Sequence, residues 1–511
     1  MRKLIRALFK IVFSRIMIIV LLLLLQLGIL FAGFEWLGQY MSYVLGSFTT
    51  LSVILVIYVI NKEDDPAYKL VWMIPLCAFP VFGALLYLFV ELDVGGRALK
   101  KRLRKNMVES AAYLKTGAAT EKHLEEQDRE FVNLASYLQR RCYCPAYENT
   151  EVTYFSLGEE KFKQLLIDLK SAEKFIFLEY FIIERGEMWD SILGILKEKA
   201  AQGVEVKLMY DGMCSLVNLP MRYPEKLKQW GIQVRVFSPI RPLLSTVQNN
   251  RDHRKIVSVD GRIAYTGGVN LADEYINRKV RFGHWKDTAI RLEGEGARGL
   301  TVMFLQNWNM IGLKAEPYEP YVIQNGGKGQ GFVIPFGDAP GDNETVGENV
   351  YMDILYNAKR YVHIMTPYLI IDSEMERALV YAAKRGVEVS IILPHIPDKK
   401  YAFYIARTYY PILLRAGVKL YEYKPGFVHA KSFVSDDQKA VVGTINLDYR
   451  SLYLHFECGV YIYQNPVVQE IEEDYEQTLK QCIEVDMDYY KSINGFSKLA
   501  GRVLRLFGPL M

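Results

Sequence analysis

Two short runs in this sequence hold the residue types for phosphodiester chemistry. His253, Lys255 and Asp260 form one His-x-Lys-x4-Asp motif, and His429, Lys431 and Asp436 form a second. A single match would arise by chance in about one chain in fifty of this length. Two that agree further downstream are a signal. Gly267 and Gly443 each lie 14 residues after their histidine, and Asn270 and Asn446 each lie 17 after. Histidine and lysine two positions apart on a strand point to the same face. An imidazole and an ammonium then enter one cleft together. One histidine is placed to attack phosphorus, while the other protonates the leaving alkoxide and later takes the proton of the incoming alcohol. Lys255, Lys431, Asn270 and Asn446 are read as the phosphate-binding groups. A unit charge pair at 4 Å and an effective dielectric of 20 is worth roughly 4 kcal/mol, so each lysine matters.

Further residues are read as supports. Asp260, followed by Gly261, and Asp436 close the catalytic motifs and are expected to open tight turns, with a structural part larger than a chemical one. Asp287 and Glu457, 34 and 28 residues after the motif histidines, are expected to orient an imidazole, because a carboxylate on the far ring nitrogen fixes the tautomer. His123, His284, His363, His395 and His455 are read as packing or surface residues. No metal-ligand cluster stands out, and the chemistry calls for neither metal nor cofactor.

The elements that position these groups repeat. Lys174 to Ile183 and Arg360 to Ile371 read as buried strands. Each precedes a helical stretch, then the same tetrapeptide, Gly203 to Val206 and Gly386 to Val389, then a short apolar strand. A second helix ends at Gly231 in one half and Gly417 in the other. Alternating strand and helix with glycine at helix ends predicts parallel sheets covered by helices. The expected fold class is therefore α/β, in two similar domains at 146–320 and 346–495. The glycine-rich residues 321–345 between them read as a flexible linker, since no strand leading into a helix supports a nucleotide loop there.

The ends differ in character. Three apolar stretches, Ile16 to Phe34, Met41 to Ile60 and Leu70 to Val90, approach the roughly 20 residues of a membrane-crossing helix. Residues 1–91 are thus expected to be a membrane anchor with two or three spans or re-entrant segments, Pro75 and Pro80 interrupting the last. Basic residues flank the region on both sides, so the positive-inside tendency leaves its topology open. Residues 92–145 read as a charged helical connector. Residues 496–511, with Lys498, Arg502 and Arg505 among apolar side chains, read as a basic amphipathic tail or a packed terminal helix. A net charge of +4 does not argue for nucleic acid. The six cysteines lack redox or zinc spacing and read as free thiols, favouring a reducing compartment.

The duplicated motif resembles that of the phospholipase D superfamily. Residues 249–270, the run His284 to Asp287 and the run Val442 to Ser451 resemble bacterial cardiolipin synthases more closely, as do Trp72 to Pro75 and Arg505 to Leu510. The resemblance implies two phospholipase D-type domains packed with pseudo-twofold symmetry behind N-terminal transmembrane helices. It implies a multi-pass cell-membrane enzyme with its catalytic part facing the cytoplasm. Phosphatidylglycerol and anionic membrane lipid are the implied partners. One phosphatidylglycerol would pass its phosphatidyl group to His253 and a second would accept it, with His429 as acid and base, giving cardiolipin and glycerol. Hydrolysis by water shares the first step, so the motifs alone leave a membrane phospholipase D and a nuclease as competing readings.

Overall fold

A computed structural model describes Leu24, Gly28 and residues 41–63, 65–91, 94–213, 218–220, 222–238, 250–312, 314–322, 326–340 and 344–510. The chain divides into two compact units. One holds residues 1–99, 240–249 and 506–511, and the other holds residues 100–239 and 250–505.

In the first unit, α1 (Met41–Asn61) is followed by α2 (Pro66–Ala78) and α3 (Pro80–Glu91). Among the described residues only α1, over Ser42–Asn61, is long and apolar enough to cross a membrane. The stretch expected at Leu70 to Val90 falls on two helices, 13 and 12 residues long, with a break at Phe79. At 1.5 Å per residue these reach only about 20 and 18 Å, short of a hydrocarbon core of about 30 Å. Proline explains the break. Pro66 starts α2 behind Asp65, whose side chain accepts from Ala67 N–H at 2.8 Å, and Pro80 starts α3. The chain bends so sharply that a Cβ on Gly83 would lie 2.3 Å from the Pro75 carbonyl oxygen. The stretch Ile16 to Phe34 lies outside the described residues, apart from Leu24 and Gly28.

The second unit is built on two sheets. The first half supplies β1 (Thr150–Phe155), β2 (Phe175–Tyr180), β3 (Glu205–Asp211), β4 (Gln233–Phe237), β5 (Ile256–Val259), β6 (Ile263–Gly267), β7 (His284–Lys286) and β8 (Ala289–Gly294). The second supplies β9 (Phe332–Asp338), β10 (Tyr361–Met365), β11 (Leu369–Ile370), β12 (Glu388–Pro394), β13 (Lys419–Tyr423), β14 (Gly426–Val428), β15 (Ser432–Ser435), β16 (Lys439–Gly443), β17 (Leu447–Asp448), β18 (Glu457–Tyr463) and β19 (Cys482–Val485). One sheet runs β1-β8-β6-β5-β2-β3-β4, and the other β9-β18-β16-β15-β10-β12-β13-β19. Seven strands correspond one for one, in order and in sense. The steps β2–β3–β4 and β10–β12–β13 are parallel, and the remaining corresponding pairs are antiparallel. The repeated tetrapeptides enter β3 and β12, each from a glycine in the left-handed region, Gly203 at φ 91° and Gly386 at φ 96°.

The two halves lie in one compact unit and share a core. Phe177, Ala264 and Leu292 of the first sheet pack in one cluster with Val434, Val442 and Val460 of the second, together with α4 (Ala297–Ile311). Each large apolar side chain buried there is worth about 1.5–3 kcal/mol, so parting the sheets would cost more than the 5–15 kcal/mol that holds a typical domain together. The glycine-rich residues 321–345 also do more than link. They contain β9, which is hydrogen-bonded along β18 from Phe332 to Asp338 and buried, against expectation. The connector region holds helices Val94–Ser110, Ala118–Glu125 and Arg129–Cys142. The last packs into the body, with Phe131 stacked on Tyr463 at 3.9 Å between centroids.

Candidate active site

Each His-x-Lys pair sits in the extended stretch that runs into a central strand, β5 or β15, and each is stitched to the opposite half. His253 N–H donates to Phe456 O at 2.9 Å, and Phe456 N–H donates to Arg251 O at 2.8 Å. Correspondingly, β14 pairs in parallel with β7, and His429 N–H donates to Lys286 O at 2.7 Å. Both carbonyls belong to the residue just before a carboxylate, so the backbone pairing delivers that carboxylate to the imidazole.

The imidazoles are held accordingly. His253 Nδ1 lies 2.9 and 3.0 Å from the two Glu457 oxygens, and His429 Nδ1 lies 2.7 Å from Asp287 Oδ2. An ionised carboxylate only accepts, so Nδ1 carries the proton and each Nε2 keeps its lone pair. Asp287 and Glu457 are fully buried. Asp287 also accepts from Thr288 N–H at 2.9 Å, and Glu457 is hydrogen-bonded by the Thr444 hydroxyl. Burial alone would raise the Glu457 carboxyl; the adjoining His253 imidazole overrides this and holds it well below the usual carboxylate range. Burial takes His429 down to about 4 and His253 well below its ordinary value, so both rings rest neutral.

The lysines join the two halves electrically. Each Nζ folds back onto the carbonyl of its own motif histidine. Burial lowers Lys255 to about 8 and Lys431 to about 7; Asp287 pulls both upward, while the Lys255 charge pushes Lys431 further down. Asp287 thus acts on both ammonium groups. Aromatic side chains flank the imidazoles. Phe181 lies edge-on to His253 at 5.1 Å, while Tyr275 and Trp285 stand 5.5 and 5.4 Å from His429.

The other expected groups divide. Asn270 binds the protein itself, accepting from Ile182 N–H at 3.0 Å and donating to the Tyr275 hydroxyl at 2.9 Å. Asn446 is buried with its amide oxygen unpaired. Asp260 and Asp436, the motif aspartates expected to open tight turns, anchor turns here. Asp260 accepts from the backbone N–H groups of Glu173, Lys174 and Phe175, and Asp436 from those of Lys359, Arg360 and Tyr361, all at 2.8–3.0 Å. Both adopt left-handed backbone, φ 54° and 57°.

Three residues of the site escaped the sequence reading. Arg254, between His253 and Lys255, donates to Glu457 O at 2.9 Å and to Asp338 O at 3.2 Å, clamping the motif to the other half. Gly268 has no room for a side chain: a Cβ would sit 2.0 Å from Asp287 Oδ1 and 2.9 Å from His429 O. The Gly-Gly pair at 267–268 was its only signal. His455, read as a packing or surface residue, lies 5.5 Å from His253 between ring centroids, and both of its buried ring nitrogens lack a hydrogen-bond partner. His363 and His395, by contrast, pair with Glu472 and Glu422, each at 2.8 Å.

Residues 165–280 and 351–479 match the family described as "Cardiolipin synthase, PLD-like domain", and residues 50–91 match "Phospholipase_D-nuclease N-terminal". The chain is 34% identical to a cardiolipin synthase of Geobacillus sp. (strain WCH70) over 473 residues, covering 90% of this chain and 92% of that one. It is 33% identical to a cardiolipin synthase of Alkalihalophilus pseudofirmus over 485 residues, 93% and 96% of the two chains. An uncharacterized protein of Streptococcus mutans is 50% identical over 458 residues, 89% and 99%. Among solved structures, phosphatidylserine synthase of Haemophilus influenzae shares the fold, with TM-score 0.55 and 15% identity over 74% of this chain and 97% of that one.

Proposed function

The chain belongs to the cardiolipin synthase family of phospholipase D-like proteins, and from that premise we propose how its residues join two phosphatidylglycerol molecules. Nε2 of His253 attacks the phosphorus of the first. The bond from phosphorus to the glycerol oxygen breaks, and the proton on His429 Nε2 passes to that oxygen, releasing glycerol. A glycerol hydroxyl of the second lipid then gives its proton to His429 and attacks phosphorus. The phosphorus–nitrogen bond breaks, freeing His253 and yielding cardiolipin. The phosphodiester anion raises His429 from its resting value as it enters, so that the ring carries the proton the first step consumes. Lys255, Lys431 and the Asn446 amide stabilise the charge that gathers on the phosphoryl oxygens.

The observation that carries this reading is the crossed pairing of each motif histidine with a carboxylate of the other half. It leaves two Nε2 atoms free and both rings tautomerically fixed, as a double displacement requires. The matching strand orders favour a pseudo-twofold axis between the halves, with the phosphorus near it. His455 fits a further part. Its Nδ1 faces Glu457 Oε1 at 3.6 Å, and its Nε2, buried without a hydrogen bond, is the atom left to meet a hydroxyl of the accepting lipid's headgroup. The described cysteines are all free thiols, which favours a cytoplasmic-facing catalytic body.

The test is a trapping experiment. Purified wild-type protein quenched during turnover of phosphatidylglycerol labelled in its phosphatidyl part is expected to hold the label on His253. Label on another residue in wild type would reverse or remove the assignment. Cardiolipin as the main lipid product from phosphatidylglycerol alone is expected; phosphatidate as the main product would make the protein a hydrolase.

A further inference from the structure

The last helix of the catalytic unit is oriented against the ordinary rule. Helix α5 (Lys400–Ala416) carries α6 (Gly495–Arg505) along its outer side. Gly501 is the point of closest approach: a Cβ there would lie 2.3 Å from Tyr404 O and 3.0 Å from a Thr408 methyl. Arg505 locks the far end, its guanidinium 4.0 Å from the Tyr409 ring centroid and 3.0 Å from Glu376 Oε2. Lys498 closes the near end on Lys491 O at 2.8 Å. These contacts fix the rotation of the helix about its axis.

At 100° per residue, Phe496, Leu499 and Val503 fall within about 60° of one another on the side opposite Gly501. They are 74, 61 and 50% exposed. An amphipathic helix on a soluble body turns its apolar stripe inward; here glycine faces in and the stripe faces out. Arg502, also exposed, flanks the stripe. An apolar stripe edged by a cation on one flank matches the acyl boundary and phosphate layer of an anionic bilayer.

We propose that the outward face of α6 is a membrane-contact surface of the catalytic unit, which inserts Phe496, Leu499 and Val503 into anionic phospholipid while Arg502 pairs with its phosphates. The contact belongs to the catalytic unit itself. It does not depend on which reaction the cleft performs.

The test uses the full chain in nanodiscs of phosphatidylglycerol, of phosphatidylcholine, and in detergent, with hydrogen exchange followed over residues 495–505. Exchange slowed by roughly tenfold in phosphatidylglycerol relative to phosphatidylcholine is expected, because lipid contact suppresses local opening. In Phe496→Ser/Leu499→Ser/Val503→Ser protein, whose changes touch exposed positions, that slowing should vanish while protection of β10 and β15 stays as in wild type. Equal exchange in all three environments would overturn the proposal. So would protection that follows protein copy number per disc instead of lipid charge, since a second copy would then be covering the face. Protection equal in both lipids would also overturn the anionic contact.

Discussion

His253 Nδ1 lies 2.9 Å from Glu457 Oε1, a residue 204 positions further along the chain. Asp287 returns the arrangement, reaching His429 across 142 positions. Neither half contains a complete catalytic histidine of its own.

Glu457→Gln should therefore impair His253 and Asp287→Asn should impair His429. An amide no longer enforces the Nδ1–H tautomer, and the loss of such a carboxylate elsewhere costs about 10⁴-fold in kcat. Cardiolipin formation is expected to fall by about 10³–10⁴-fold in each, with KM for phosphatidylglycerol nearly unchanged. A drop below tenfold would show that the carboxylates serve packing alone.

Gly268→Ala tests the same contact sterically. The added methyl must displace Asp287 or the His429 backbone, and a misplacement near 1 Å is enough to cost about 100-fold. The melting temperature should fall little beside the activity. Unchanged turnover would mean that the loop yields without moving the carboxylate.

Asp260→Ala and Asp436→Ala should lose stability in place of chemistry. Each removes an acceptor for three backbone N–H groups and leaves alanine in left-handed backbone, at a cost of about 2–4 kcal/mol. Denaturant midpoints should shift, while kcat per folded molecule stays within about threefold of wild type. A variant that keeps its stability but loses turnover would return these aspartates to the reaction.

Lys431 at about 7 and Lys255 at about 8 set the alkaline side of the pH profile. The ammonium form binds phosphate, so kcat/KM for phosphatidylglycerol should decline as pH rises through 7–8. The guanidinium of Lys431→Arg does not titrate there, so that limb should move upward even if its height falls. For the ligand-free fold the sign is opposite. Between pH 7 and about 10.5 the unfolded chain holds protons on these lysines that the folded chain has released, so stability rises with pH across that window.

His455→Phe should keep the fold and lose a headgroup hydrogen bond worth about 1–3 kcal/mol, a five- to 150-fold effect. The effect should fall on the transfer step, raising phosphatidate relative to cardiolipin, and His455→Asn should restore part of it. An unaltered product ratio would remove His455 from acceptor binding.

What the sequence disclosed was local. His-x-Lys, the glycines at helix ends and the alternation of strand and helix are readable because their causes act within a few residues. Asp287 and Glu457 were legible as orienting groups, but not which histidine each would serve, since that depends on strands brought together across 142 and 204 positions. Strand β9 hid among glycines because its partner β18 supplies the pairing that its composition does not advertise. His455 and Arg254 were overlooked for a like reason. Nothing in their neighbours marks a side chain that packs against the far half.

The crossed carboxylates also order events during synthesis. When the ribosome has made His253, the codon for Glu457 is still 204 positions away, which at about 5–20 residues per second is a delay of about 10–40 s. Throughout that interval the first motif has no fixed tautomer, and until its last 28 residues it has no second histidine. A nascent chain already held at the membrane by its N-terminal helix is thus harmless to the surrounding lipid until translation is nearly over.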